Sequence, residues 1–130
     1  MPRWSRESHD RLATAHPQLQ AIFNTVIGDF DCTVIVGFRN EAAQEEAFRT
    51  GHSTKQWPFS KHNVSPAIAV DVAPYPVNWK DIRRFDYFSG FVMGVAKQLG
   101  FDLRWGGDWD QDTDLLDQNF NDLAHFELVE

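Results

Sequence analysis

SKHNVSPAIAVDVA, residues 60–73, joins a polar loop to a compact apolar run over 67–73. The β-branched and small residues of that run predict a buried strand, and Pro74 and Pro76 close it. His62 lies in the loop, and Asp71 follows nine residues later, within the strand. The stretch therefore predicts a strand that carries a carboxylate, with a histidine close before it.

Apolar periodicity and capping residues predict the other elements. Pro17 opens a helix, Asn40 caps another, and Gly100 stops the longest one, which Asn78 is expected to cap. We expect helices over 8–15, 17–27, 41–49 and 79–99, and strands over 32–38, 67–73, 101–105 and 124–129. Ile82 and Leu99 stand at the two ends of the buried stripe predicted for the longest helix. The pattern indicates a single α+β domain over residues 1–130, in which helices pack around a small antiparallel sheet.

Composition excludes several classes of protein. The 130 residues include 12 basic and 19 acidic ones, so the net charge is -7. Such a chain is a poor partner for nucleic acid or for an anionic membrane, and we expect neither nucleic-acid binding nor stable membrane binding. One cysteine excludes an intramolecular disulfide framework. The first ten residues, MPRWSRESHD, contain no apolar segment, so we expect no signal peptide and synthesis in the cytoplasm. We also expect the chain to be a monomer.

Four residues suggest metal chemistry. His62, Asp71 and His125 offer two imidazoles and a carboxylate, a common zinc ligand set with one open position. Asp122, three residues before His125, is placed to take a proton from an activated water. Residue types and spacing alone leave another interpretation open, in which the histidines are ordinary surface or core residues and Asp122 caps a turn. Glu127 alternates with His125 on the last strand, where it either orients a ligand imidazole or lies at the surface.

The order of these motifs is similar to that of a known enzyme family. SKHNVSPAIAVD (60–71), followed by DLAHFEL (122–128), resembles the zinc D-alanyl-D-alanine carboxypeptidase and L-alanyl-D-glutamate peptidase family. That family includes the vancomycin-resistance D,D-peptidases and many phage endolysins. VGFR (36–39) and Gln44 resemble a further family segment, and WPFSKH (57–62) and RWGGDW (104–109) resemble its phage branch. The matched segments run from about residue 34 to residue 128.

The resemblance implies a fold of the D-Ala-D-Ala carboxypeptidase or hedgehog-like type and one catalytic zinc ion. Its zinc ligands map onto His62, Asp71 and His125, and its acid/base maps onto Asp122. Arg39 maps onto an arginine that stabilises an oxyanion or holds a substrate carboxylate. The substrate-binding positions map onto Ser60 and Gln44.

Two departures from the family pattern are visible. His62 and Asp71 are nine residues apart where the usual motif has seven, and the motif glycine is replaced in the region of Ser65 and Pro66. A two-residue expansion of the loop before the strand accounts for both. The proposed base is Asp122, where many relatives carry glutamate.

The resemblance implies an L-alanyl-D-glutamate endopeptidase that acts on the stem peptide of peptidoglycan. A phage or prophage endolysin of this kind reaches the cell wall after a holin-type opening of the membrane. The alternatives are a D-alanyl-D-alanine carboxypeptidase and a non-catalytic module that binds zinc or a muropeptide.

An acidic run also suggests a second metal. DWDQDTD, residues 108–114, has an acid at every second position, as calcium loops do. Thr113 and Asn119 stand where such a loop has glycine and glutamate, so a solvated loop is favoured and weak calcium binding is left open.

Overall fold

The computed structural model describes residues 2–114 and 122–129. Within them it contains helices α1 Arg6–Leu12, α2 Pro17–Val26, α3 Glu41–Arg49 and α4 Ile82–Leu99, and a short 3-10 helix, Lys61–Asn63. The strands are β1 Cys32–Val36, β2 Ala69–Pro74, β3 Leu103–Gly106 and β4 Asp122–Leu128. They form one sheet in the order β1-β2-β4-β3, and every neighbouring pair is antiparallel. The predicted α+β fold with a small antiparallel sheet is confirmed.

The two faces of the sheet differ in chemistry. Phe126 of β4 points into the core, where its ring centroid lies 5.4 Å from that of Phe23 in α2 and 6.2 Å from that of Phe88 in α4. Because side chains alternate along a strand, His125 and Glu127 point to the opposite face. Asp71 likewise points away from the core that holds Val70 and Val72. One face therefore packs against helices, and the other is left for polar groups.

Capping residues explain where most helices begin and end. The Asn40 side chain accepts a hydrogen bond from the backbone of Ala43, as predicted for the start of α3. Gly100 ends α4 with a φ of 82°, a left-handed conformation that favours glycine.

The start of α4 and its buried stripe need correction. Asp81 caps this helix, whereas Asn78 accepts a hydrogen bond from Lys80 in the preceding turn. Ile82 and Leu99, predicted to be buried, are exposed. The buried residues of α4 run from Phe85 to Ala96, so the first and last residues of the helix extend past the core.

Three further features complete the fold. β2 begins two residues later than predicted, because Ala67 pairs with Ala15 in an isolated parallel bridge. Cys32 packs in the core, and burial raises the pKa of its thiol to about 12, with a smaller contribution from the Asp31 charge. Among the residues described, every helix is too short or too polar to cross a membrane.

Candidate active site and metal centre

Asp71 and His125 are brought together by strand pairing. They are direct partners in the antiparallel pair of β2 and β4, so both side chains lie on one face of the sheet. Asp71 Oδ1 lies 3.1 Å from His125 Nδ1. The central position of β2 therefore fixes the carboxylate beside the imidazole, although 54 residues separate the two in sequence.

His62 reaches the same carboxylate from the 3-10 helix. Ser60 caps that helix, and its hydroxyl oxygen accepts a hydrogen bond from the backbone N–H of His62. The backbone N–H of Arg39 donates to the His62 carbonyl, which ties this helix to the end of β1. His62 Nε2 lies 3.2 Å from Asp71 Oδ1, so the longer spacing in this sequence does not displace the histidine.

The outer nitrogen of each imidazole is held by a hydrogen-bond acceptor. His62 Nδ1 donates to the Gly37 carbonyl at 2.8 Å, and His125 Nε2 donates to Glu127 Oε1 at 2.9 Å. When an imidazole is neutral, as in a metal site, the acceptor at its outer nitrogen fixes the tautomer, and the lone pair of His62 Nε2 or His125 Nδ1 then faces Asp71. Outer hydrogen bonds of this kind are the usual support of metal-binding histidines.

The donor set fits a zinc ion. One ligand atom from each of His62, Asp71 and His125 lies within 4.8 Å of the other two. Two imidazole nitrogens and one carboxylate oxygen are a ligand set of catalytic zinc sites. The structure thus brings together all three residues predicted as ligands.

The close approach of these groups shifts their pKa values. Burial lowers the pKa of His125, but hydrogen bonds to Asp71 and Glu127 outweigh it and raise that pKa to about 9. Burial raises the pKa of Asp71, but hydrogen bonds from His125 and His62 outweigh it and hold that pKa well below its usual range. The cluster therefore attracts positive charge, which a divalent cation supplies in place of protons.

Asp122 lies beside this cluster because β4 is irregular at its start. Residues three apart in a regular strand point to opposite faces, yet Asp122 Oδ2 is 4.0 Å from His125 Nδ1. The β3–β4 register shifts between Trp105 and Gly106, and Gly106 pairs with Asp122. A Cβ on Gly106 would lie 2.0 Å from the Asp122 carbonyl oxygen, so the close approach requires glycine here. The Asp122 side chain is 37% exposed, and burial together with the Asp71 charge raises its pKa.

Arg39 follows β1 and points its guanidinium at the cluster. Its Nη2 lies 3.9 Å from Asp71 Oδ2, and its Nη1 donates to Gln44 Oε1 at 3.0 Å. The side chain is largely buried and lies at the wall of the cavity. A positive fork is therefore fixed next to the candidate metal ligands.

Gln44 is completely buried, and its amide is fully used. Its oxygen accepts from Arg39 and Asn63, and its nitrogen donates to the Ser53 hydroxyl and the Lys55 carbonyl. The prediction that Gln44 contacts the substrate is therefore corrected, because no part of it reaches the cavity. Gln44 instead orients Arg39 and joins α3 to the loop that follows it.

The Gln44→Leu protein is expected to be less stable by about 2–4 kcal/mol, because buried partners lose their hydrogen bonds at roughly 1–3 kcal/mol each. Urea unfolding of the purified protein measures this. Gln56→Leu is the matched control: Gln56 is exposed, so the same substitution there is expected to change stability by at most about 0.5 kcal/mol. Equal stability of Gln44→Leu and wild type would contradict the importance of this network.

A cavity of about 490 Å³ opens over the cluster. Among the described residues, its wall includes the three candidate ligands together with Asp122, Arg39 and Ser60. Trp109 lies on the same wall, with its ring centroid 5.4 Å from that of His125. The cavity gives a peptide direct access to the candidate metal centre.

Comparison with known proteins identifies the family of the chain. The family model described as "Phage L-alanyl-D-glutamate peptidase" matches residues 1–129. The chain belongs to the phage L-alanyl-D-glutamate peptidase family. Membership confirms the family resemblance and the predicted class of enzyme, a peptidase.

Two known proteins are similar to this chain over nearly its whole length. The L-alanyl-D-glutamate peptidase of Escherichia phage T5 is 31% identical over 136 residues, which cover 98% of this chain and 98% of that protein. The crystal structure of the Serratia marcescens L-Ala D-Glu endopeptidase ChiX matches with a TM-score of 0.76 and 26% identity. That match covers 98% of this chain and 90% of the ChiX chain.

Some residues that support the candidate site were missed by sequence analysis, and the role of another was left open. Glu127 had two interpretations, and the structure places it behind His125, buried and hydrogen-bonded. The backbone carbonyl of Gly37 accepts a hydrogen bond from His62. The side-chain amide of Asn63, in the 3-10 helix, donates to the Arg39 carbonyl and to Gln44 Oε1. A backbone acceptor such as the Gly37 carbonyl cannot be predicted from residue type. The position of Glu127, by contrast, could be predicted, because it lies two residues after His125 in one strand and therefore on the same face.

The acidic run, residues 108–114, adjoins the cavity through Trp109. Carboxylate oxygens of Asp108, Asp110 and Asp112 lie within 4.8 Å of one another. Asn119 lies outside the described residues. Weak calcium binding over 108–114 stays a prediction.

Proposed function

We propose that this chain is a zinc endopeptidase that hydrolyses the L-Ala–D-Glu bond of peptidoglycan stem peptides. The observation that carries the proposal is the convergence of His62, Asp71 and His125 on one point, with Asp122 at 4.0 Å from His125. Membership of the L-alanyl-D-glutamate peptidase family supports the assignment of this bond and of a cell-wall substrate.

The proposed zinc ligands are His62 Nε2, Asp71 Oδ1 and His125 Nδ1, one ion per chain. In their neutral, metal-binding form both imidazoles present a lone pair towards Asp71, because Gly37 and Glu127 accept hydrogen bonds from their other nitrogens. Zinc in such a site is a Lewis acid that makes water a nucleophile near neutral pH.

Asp122 is the proposed general base and acid. Among residues 2–114 and 122–129, it is the carboxylate nearest His125 that is not itself a proposed ligand or a hydrogen-bond partner of one. Asp122 takes a proton from the attacking water as the new C–O bond forms at the alanine carbonyl. It returns that proton to the nitrogen of D-Glu as the C–N bond breaks, which leaves a free amine.

Arg39 and Ser60 complete the proposed machinery. The guanidinium of Arg39 lies beside Asp71, where it stabilises the negative charge that develops on the carbonyl oxygen. Ser60 lies on the cavity wall and is proposed to contact the peptide backbone of the substrate.

The biological role proposed is that of a phage or prophage endolysin. The enzyme is made in the cytoplasm, acts as a monomer, and reaches peptidoglycan after a holin-type opening of the membrane. Relatives named as phage and bacterial peptidases of this bond support action on the cell wall.

Two soluble peptides separate this function from a D,D-carboxypeptidase. One contains an L-Ala–D-Glu bond and lacks the terminal D-Ala residues; the other ends in D-Ala–D-Ala and carries D-Ala in place of L-Ala before D-Glu. The zinc-loaded enzyme is expected to cut the first and release no D-Ala from the second. Free D-Ala as the sole product would overturn the bond assignment and leave the metal chemistry standing.

A further inference from the structure

The cavity carries more basic than acidic side chains, the reverse of the chain as a whole. Net charge is -7, yet the described residues of the cavity wall include four basic side chains and three carboxylates. The basic ones are Arg39, Lys55, Lys61 and Arg104, and the carboxylates are Asp71, Asp122 and Glu127. This placement favours an anionic ligand in a protein that otherwise repels one.

Two of these cations share one buried carboxylate. Lys61 Nζ lies 2.8 Å from Glu127 Oε2, and Arg104 Nη2 lies 2.7 Å from the same oxygen. The side chains of Lys61 and Arg104 are 28% and 30% exposed, whereas that of Glu127 is 8% exposed. The carboxylate therefore lies beneath the two cations, and the three groups together keep one net positive charge at the cavity wall.

Both cations retain hydrogen-bond donors. Lys61 Nζ has two acceptors, Glu127 and the Leu128 carbonyl, for its three protons. Arg104 donates through Nε and Nη2, and no hydrogen-bond partner is found for Nη1 within residues 2–114 and 122–129. A carboxylate entering the cavity can thus receive charge-assisted hydrogen bonds from both side chains.

Arg39 occupies a different place. Its guanidinium is held by Gln44 and lies beside Asp71, at the candidate metal centre. Lys61 and Arg104 lie at the opposite end of the His125 imidazole, beyond its Nε2 atom. Glu127 lies between the imidazole and these two cations. The cavity therefore has one cation at the candidate metal centre and a second positive site beyond the Nε2 end of the His125 ring.

Resting on the proposed function, we propose that Lys61 and Arg104 form the binding site for the free α-carboxylate of the D-Glu residue. In the stem peptide D-Glu is linked onward through its side chain, so its α-carboxylate remains free, one carbon from the nitrogen of the cleaved bond. Two directed donors hold such a group close to the scissile bond and orient the leaving amine.

A pair of peptide substrates tests this assignment. They differ only at D-Glu, which carries either the α-carboxylate or the α-carboxamide. Wild type is expected to cleave the carboxylate peptide with a kcat/KM about 10–100-fold higher, as for a charge-assisted contact that is lost. A wild-type enzyme without this preference would overturn the proposal.

Variants assign the preference to the two side chains. Lys61→Gln combined with Arg104→Gln is expected to raise KM for the carboxylate peptide and to reduce the preference to within about threefold. Arg49→Gln is the matched control, since Arg49 is exposed, pairs with Glu46 and lies off the cavity wall. Arg39→Gln is expected to lower kcat for both peptides alike. A double variant that cleaves both peptides more slowly but keeps the wild-type preference would show a structural role only and would contradict the proposal.

A binding measurement separates this site from the peptidase function. The dipeptide γ-D-glutamyl-L-lysine and its α-amide are titrated calorimetrically into the zinc-loaded wild type and double variant. Tighter binding of the free acid by the wild type alone, weakened by salt, is the expected result. Equal binding of acid and amide by wild type would exclude the carboxylate site even in an active enzyme, whereas failure to cleave either peptide would count against the proposed function instead.

Discussion

The His125→Ala protein is expected to lose zinc and to fall to background turnover. The substitution removes one of three proposed ligands, and it leaves Asp71 and Glu127 without the imidazole that contacts both. Loss of an outer hydrogen bond alone costs such sites about 10–100-fold in metal affinity, so loss of the ligand is expected to cost at least about 100-fold. Metal analysis after dialysis and kcat/KM on a stem peptide measure the two effects.

Two controls make this result specific. His9→Ala removes an exposed imidazole and is expected to keep full zinc content and activity. Chelator-treated wild type is expected to lose activity and to recover it when zinc is added back. Normal zinc content and turnover in His125→Ala would exclude His125 from the metal centre.

The Asp122→Asn protein is expected to keep its fold and its zinc, yet to lose about 10²–10⁴-fold in kcat. Asparagine preserves the size of the side chain but cannot accept and return a proton. Asp122→Glu keeps a carboxylate and is expected to retain more activity than Asp122→Asn. Circular dichroism and metal content establish that each variant is folded and loaded before the rates are compared.

Asp10→Asn controls for loss of one negative charge, because Asp10 is exposed and lies outside the cavity. Wild-type rates in a folded, zinc-loaded Asp122→Asn would place the general base elsewhere. Glu127 is poorly suited to replace it, since hydrogen bonds from His125, Lys61 and Arg104 outweigh burial and hold its pKa well below the usual range.

Local sequence rules predicted the parts of the fold that depend on local chemistry. Asn40 begins α3 and Gly100 ends α4 as expected, because side-chain capping and left-handed backbone are properties of single residues. The antiparallel sheet and the convergence of His62, Asp71 and His125 were also expected. Here the family resemblance supplied what spacing alone left open.

Features that depend on distant contacts escaped prediction. The position of Asp122 depends on the register shift at Gly106, which no alternation pattern in β4 reveals. Gln44 looked like a substrate contact, yet tertiary packing buries it behind Arg39. The exposed ends of α4 depend on how far the core extends beneath the helix, which periodicity does not encode.

The ion cluster on Glu127 links the metal centre to substrate recognition. One oxygen of Glu127 orients the imidazole of His125, and the other holds Lys61 and Arg104. A single buried carboxylate thereby fixes a proposed metal ligand and the proposed carboxylate site in one arrangement. Sequence alone left the first of these two roles of Glu127 open, as one of two interpretations, and gave no sign of the second.

Mass spectrometry of purified peptidoglycan after digestion by the zinc-loaded enzyme identifies the bond that is cut. We expect new L-Ala carboxyl ends on the glycan side and new D-Glu amino ends on the released peptides. Neither end is expected with the Asp122→Asn protein or with chelator present. Release of free D-Ala without these ends, or an undigested wall with a folded and zinc-loaded wild type, would contradict the proposed cleavage of the L-Ala–D-Glu bond.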